Sequence, residues 1–458
     1  MADWNAELFT KLYSKMALAL GVTPTADTEL HSMLGAAPPR RFRASSLTAS
    51  KDAPQFLLAI FNPGQYIPAS MDPVTKPNDR YALSVLFNAV PQFSWVYRPA
   101  ATTISNAYKS ILDYKETPLV ALTPEQKKKL EEAQGLVDEY QDAYEQYQGE
   151  YFDVLDAYDA AYATWLNGGA PVPRSLKAKL EAALAKWDRS GHRTAVDSAT
   201  AVIATYEALD PETFWYKLSQ RYRAGTESAE VSSEYQVVGV SPPYKTWFGD
   251  AGWTSFSFDQ KDMDNQRQSQ AIGVSGRLEG EYGIFRISGE GSYEKDSKFV
   301  KMDQTELQFS CKLFRVALDR SWMNPLVLSS RAWRWAQGTP AYGSHLSTGG
   351  DIFNDVAPTG EMTVVPTAAI LSKDLNIKGN FNKTIVEEMN SKIAANASVG
   401  IGPFSISGRF NMEDHSGSEK GTIASNGISA PDVQLVAFVC EVLPASPNHD
   451  PALKWPTQ

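Results

Sequence analysis

The C-terminal half carries one pattern of alternating polar and apolar residues twice. Tyr282–Glu294 reads YGIFRISGEGSYE and Ile401–Glu413 reads IGPFSISGRFNME. At a constant offset Gly283 matches Gly402, Phe285 matches Phe404 and Ile287 matches Ile406; Ser288/Ser407, Gly289/Gly408 and Glu294/Glu413 match as well. An apolar segment lies upstream of each copy, YQVVGV from Tyr235 and MTVVPT from Met362. Another lies downstream, ELQFSCKLFRV from Glu306 and DVQLVAFVCEV from Asp432. Successive side chains of a strand point to opposite faces, so this alternation predicts strands with one apolar and one polar face.

In the second copy Ile393, Ala395, Ala397, Val399 and Ile401 share one side. Gly402-Pro403 turns the chain, and Phe404, Ile406, Gly408, Phe410 and Met412 line the return strand. In the first copy Ile272, Val274 and Leu278 precede a turn at Tyr282-Gly283, and Phe285, Ile287 and Tyr293 follow it. The reading is a duplicated antiparallel all-β, sandwich-like domain over 232–445, made of two related units at about 234–320 and 361–445.

Ahead of it the period changes from two to that of a helix. Thr123-Pro124-Glu125-Gln126 has the capping-box order of N-cap hydroxyl, N1 proline and N3 glutamine. A seam follows at three- and four-residue steps: Leu130, Ala133, Val137, Tyr140, Tyr144, Tyr147, Tyr151, Val154, Tyr158, Ala161, Trp165. Asn167–Pro173 ends it. Leu176, Leu180, Leu184 and Trp187, then Val196, Ala199, Ile203 and Tyr206, mark a return arm. From Leu130 to Gly168 there are ten acidic residues and no Lys or Arg, whereas the return arm is basic on balance. Facing arms of opposite charge predict a long antiparallel helical hairpin within 123–226. The many seam tyrosines predict a covering third element, expected from the N-terminal region, because a phenol needs a partner for its hydroxyl. Residues 1–122 read as mainly helical, with Leu8, Leu12, Met16 and Leu20 at helical spacing and Ala101–Tyr114 as a helix. The fold class is therefore α+β, with a mainly helical N-terminal half.

At 458 residues, 43% hydrophobic and 21% charged, the chain reads as an ordinary globular protein. A net charge of −10 argues against a nucleic-acid partner. No run of apolar residues is long enough for a transmembrane helix, and the N-terminus lacks the pattern of a signal peptide. The expectation is a protein made soluble in the cytosol, with later release to the outside compatible. Cys311 and Cys440 lie inside apolar strands and read as buried free thiols. The five histidines form no metal-binding pair, and Gly349–Asp355 lacks EF-hand spacing. No nucleophile elbow, Walker loop or dinucleotide fingerprint is present. The chain is read as non-enzymatic, without catalytic or metal residues and without a cofactor.

The chemistry that remains is adhesive. Trp322, Arg331, Trp333, Arg334 and Trp335, with Trp247 and Trp253, are the candidates for binding sugar, lipid headgroup or protein, because indole and guanidinium stack and anchor. Ile272, Val274, Leu278, Phe285, Ile287, Val399, Ile401, Phe404, Ile406 and Phe410 are the candidates for membrane insertion, since alternating hairpins of ~10 residues can span a bilayer. The leading expectation is a soluble pore-forming or membrane-perturbing protein of toxin type. It would bind a membrane lipid or cell-surface receptor, form a homo-oligomer and insert its hairpins. The alternative is a self-assembling structural protein, such as a filament, shell or inclusion subunit, without membrane activity.

Overall fold

The computed structural model describes residues 8, 11, 12, 15, 16, 19, 55–59, 65–91, 99–118, 123–166, 170, 172–207, 211–230, 232–259, 261–262, 284–287, 293–296, 308–349, 358–395, 398–412 and 415–456. Helices and strands are mixed, with a multi-strand antiparallel sheet in the C-terminal half. The helices that matter here, besides helical positions on the N-terminal segment, are α1 (Pro77–Asn88), α2 (Ile104–Tyr114), α3 (Pro124–Leu166), α4 (Arg174–Arg189), α5 (Arg193–Glu207), α6 (Pro211–Ala224) and α7 (Lys383–Ala394). The strands that matter here are β1 (Gln55–Ala59), β2 (Gly239–Ser241), β3 (Thr254–Phe258), β4 (Ile284–Ile287), β5 (Tyr293–Asp296), β6 (Gln308–Asp319), β7 (Val364–Lys378), β8 (Ser398–Ile401), β9 (Phe404–Met412), β10 (His415–Lys420), β11 (Thr422–Ala424), β12 (Gly427–Ala430) and β13 (Gln434–Val442).

The capping box opens α3. Gln126 N–H donates to Thr123 Oγ1 at 3.3 Å, and Thr123 N–H donates to Gln126 Oε1 at 2.8 Å. The helix then runs 43 residues and packs on α4 and α5. Trp187 lies between Tyr144 and Tyr151, with ring centroids 5.4 and 5.5 Å away. Tyr140 stacks on His192 at 3.9 Å, Tyr144 Oη donates to Asp197, and Lys186 pairs with Glu150 at 2.7 Å. The break between α4 and α5 needs a glycine, because a Cβ on Gly191 would lie 2.6 Å from the Trp187 ring. A third element does meet α3, but it includes β3 from the C-terminal half.

The central sheet runs β1-β13-β7-β6-β2, with β3 also on β6 and β12 also on β7. Every described pairing in it is antiparallel. β13 is buried along its whole length, so both of its faces are covered. That is why its sequence is a continuous apolar run rather than an alternating one. Phe87 of α1 meets Phe438 at 6.2 Å. β1 pairs with β13 in the register Phe56↔Cys440, and Lys115–Glu116 pair with Arg334–Trp335. Residues before 122 are thus woven into the C-terminal sheets.

One predicted strand is a helix. Ile393 belongs to α7, and β8 starts only at Ser398. Val386, Met389 and Ile393 are all buried, a three- and four-residue spacing that outweighs the apparent alternation of Ile393, Ala395 and Ala397. Asn382 accepts from Thr384 N–H at 3.0 Å and starts that helix.

Arg320, just after β6, is buried beside this core. Its Nη1 donates to Pro366 O on β7 and its Nη2 to Phe87 O on α1, each at 2.7 Å. Burial pulls the guanidinium down to about 10, so it is charged at neutral pH and ties helix to sheet. Arg320→Leu removes both charged bonds and strands two carbonyls; it is expected to cost about 3 kcal/mol or more, read as a fall in the urea midpoint without a change in slope. Cys311 and Cys440 are free and buried. Burial pushes the Cys311 thiol up to about 12 and the Cys440 thiol well above its ordinary value. Only the thiolate alkylates, so native protein should take up no iodoacetamide while urea-unfolded protein takes up one equivalent at each cysteine.

Candidate functional site

A second sheet, β5-β4-β8-β9-β10, brings the strands of both sequence copies together. β4 pairs antiparallel with β8 in the register Ile284↔Ile401, Phe285↔Gly400, Arg286↔Val399 and Ile287↔Ser398. β8 and β9 turn at Gly402, whose φ of +55° is the left-handed region that glycine enters at no steric cost. Val399, Ile401, Phe404 and Ile406 are at most 2% exposed and belong to one apolar cluster with β6, β7 and β13. Phe404 meets Phe309 of β6 at 6.3 Å. The second sheet therefore docks on the central one through the apolar face read from the sequence.

The other face departs from expectation. Alternation sets Ser405 and Ser407 on the polar face, opposite Phe404 and Ile406, yet they are 0% and 4% exposed. Beside Ser405 lies Gln434 of β13, which is itself fully buried. Ser405 N–H donates to Gln434 Oε1 at 2.5 Å, and Gln434 Nε2 donates to Ser405 O at 3.1 Å. β10 accompanies β9 as far as Ser407↔Lys420 and then leaves at Gly421 for β11. A Cβ on Gly421 would lie 2.4 Å from Ser429 O and 2.6 Å from Ile406 O, so the exit admits only glycine. Where the strand departs, the Gln434 carboxamide takes over the pairing. Its planar amide offers the donor and acceptor that a neighbouring strand would.

Of the remaining insertion candidates, Phe285 and Ile287 lie on β4 and Phe410 lies on β9. Ile272, Val274 and Leu278 fall outside the described residues.

The tryptophan candidates are corrected. Trp247, Trp322, Trp333 and Trp335 are 0–4% exposed and present no binding face. Trp322, Trp333 and Trp335 build a second core with Tyr108 of α2 and Phe214 and Trp215 of α6. Each indole N–H is spent internally: Trp322 on Val237 O, Trp333 on Val327 O, Trp335 on Ser344 O and Trp247 on Pro242 O, all at 2.7–2.9 Å. Alternation along Trp333-Arg334-Trp335 puts both indoles inward, while Arg334 pairs with Glu116 and lies over the Trp455 ring. Arg331 remains exposed, 3.9 Å from Asp450. Trp253 is half-buried under the Lys373 ammonium, 4.6 Å from its ring.

An open cleft of about 560 Å³, unread from the sequence, is lined by Lys109, Asp113, Tyr222, Arg223, Thr226 and Glu234. It mixes both charges. Among the described residues no group of His, Cys, Asp and Glu could hold a metal, and no helix is long and apolar enough to cross a membrane.

The chain matches no family model, no curated protein and no solved structure.

If the docked face is core, Phe404→Ala leaves a cavity and should cost about 3 to 5 kcal/mol. Gln434→Leu strands the Ser405 amide and carbonyl and should cost about 2 kcal/mol or more. Chemical denaturation checks both; shifts below about 0.5 kcal/mol would mean that the sheet is not seated as described.

Proposed function

We propose that the protein is a pore-forming or membrane-perturbing protein of toxin type, which binds a target surface, oligomerises and inserts its amphipathic hairpins. The observation that carries this reading is that β4 and β5 share one sheet with β8 and β9 of the second hairpin, and that Val399, Ile401, Phe404 and Ile406 are dry because that sheet is docked. Val399, Ile401, Phe404 and Ile406 would exchange the central sheet for lipid, and the Ser, Gly and Asn of the other face would line water. β9, at nine residues, already has the length of a spanning strand, ~9 to 11 residues. β4, at four, has to lengthen.

The reading treats the two β regions as copies of one unit. It is supported by pairing: each upstream strand is antiparallel to its own downstream strand, β2 to β6 and β7 to β13, and the two pairs are neighbours through β6 and β7. It also treats α3 with α4 and α5 as a helical hairpin whose exposed acidic side is a surface for contacts between copies. With four tryptophans in the core, Arg331 and Trp253 are the members of the adhesive set left for a membrane lipid or receptor. The function is non-enzymatic and takes no cofactor.

The second reading is a self-assembling structural protein. In its favour, β5 and β10 end the second sheet among the described residues, and an open strand edge is a template for another copy.

Dye release from liposomes of mixed composition separates them, with electron microscopy of the same samples and of lipid-free protein. Release accompanied by rings on the membranes is expected. Ordered assemblies in buffer without release from any composition would overturn the pore reading in favour of the structural one.

A further inference from the structure

The segment that carries β4 and β5 leaves the central sheet at the end of β3, and a second contact sits on that exit. Leu8, Lys11, Leu12, Lys15, Met16 and Ala19 are helical positions on the N-terminal segment. Leu8, Leu12 and Met16 are 1% exposed and belong to the same apolar cluster as Phe256 and Phe258 of β3. Lys15, on the stripe beside them, is buried as well and lies 6.0 Å over the Phe256 ring. Its Nζ donates to Asp262 Oδ2 at 2.8 Å, with side chains only 6% and 13% exposed. The same carboxylate oxygen accepts from Asp259 N–H at 2.9 Å, and Asp262 N–H donates to Asp259 O at 3.0 Å. Asp262 therefore closes the turn that ends β3 and receives the lysine at once.

We propose that the N-terminal helical segment is an autoinhibitory latch, which holds the exit of β3 through Lys15–Asp262 and so keeps the β4–β5 segment docked; this rests on the pore reading. A nearly dry ion pair suits such a role because losing the Lys15 ammonium weakens the hold on a buried carboxylate, whereas neutralising both partners is tolerated. Withdrawal of the segment, by cleavage or by capture at a surface, removes the ammonium and the apolar stripe in one step.

The test compares the full chain with Lys15→Met and with the double variant Lys15→Met/Asp262→Asn. Hydrogen exchange is followed in peptides covering 254–262 and 434–442, and dye release from mixed liposomes is followed in parallel. In Lys15→Met, exchange at 254–262 should quicken about tenfold or more while 434–442 keeps its protection, and release should start earlier. The double variant should recover much of the protection at 254–262. Unchanged exchange at 254–262 would overturn the latch, as would equal loss at 434–442, since the pair would then serve global stability alone. Faster local exchange with no release on any membrane would leave Lys15–Asp262 as the hold on the β3 exit and sink the pore reading, with autoinhibition along with it.

Discussion

The antiparallel pairing of β6 with β7 is the constraint to which the remaining elements answer. These are the longest described strands of the central sheet, at 12 and 15 residues, and each is too long for a single outer partner. β6 is completed by β2 and β3, and β7 by β13 and β12. Next to them β13 has apolar side chains on both faces, so the sheet cannot stop at one layer. One cover is helical, with Phe87 of α1 against Phe438; the other is the second sheet, with Phe404 against Phe309. Arg320, at the end of β6, fastens the first cover to the sheet by two carbonyls, and Gln434, at the start of β13, fastens the second.

Local signals were legible wherever the partner was near in sequence. The Thr123–Gln126 box, the seam of α3, the turn at Gly402 and the buried thiols each depend on a few consecutive residues and one known geometry. Ile393–Ala397 misled because a short stretch can satisfy two periods at once. The deciding residues, Val386 and Met389, lay upstream of the window in which alternation was sought. The part that β3 plays against α3 was not legible for a different reason: tyrosines announce that a partner exists but carry nothing that names it.

The candidate site was half legible on the same grounds. Alternation identified Val399, Ile401, Phe404 and Ile406 as a face to be buried. It could not foresee that Gln434, 29 residues from Ser405, pairs with the Ser405 backbone where β10 has turned off. The tryptophans were legible as anchors but not as to what they anchor. Indole serves a core and an exposed surface equally well, and only the carbonyls of Val237, Val327 and Ser344 decide between them. The arginines between and beside them gave the weaker clue that was available: strict alternation of Arg with Trp is the mark of a strand with one side inward.

The Gln434 carboxamide also limits which residues its position can accept. The slot opposite Ser405 must be filled by a side chain that gives and receives a hydrogen bond in one plane, at the reach of two methylenes. Asparagine has the chemistry but is one carbon short. Glutamate has the reach but offers only acceptors and carries a charge into a dry layer. Any aliphatic residue fills the volume and leaves two polar groups unanswered. Among relatives that keep the second sheet, glutamine here should persist while its apolar neighbours Leu435, Val436 and Val439 drift among one another.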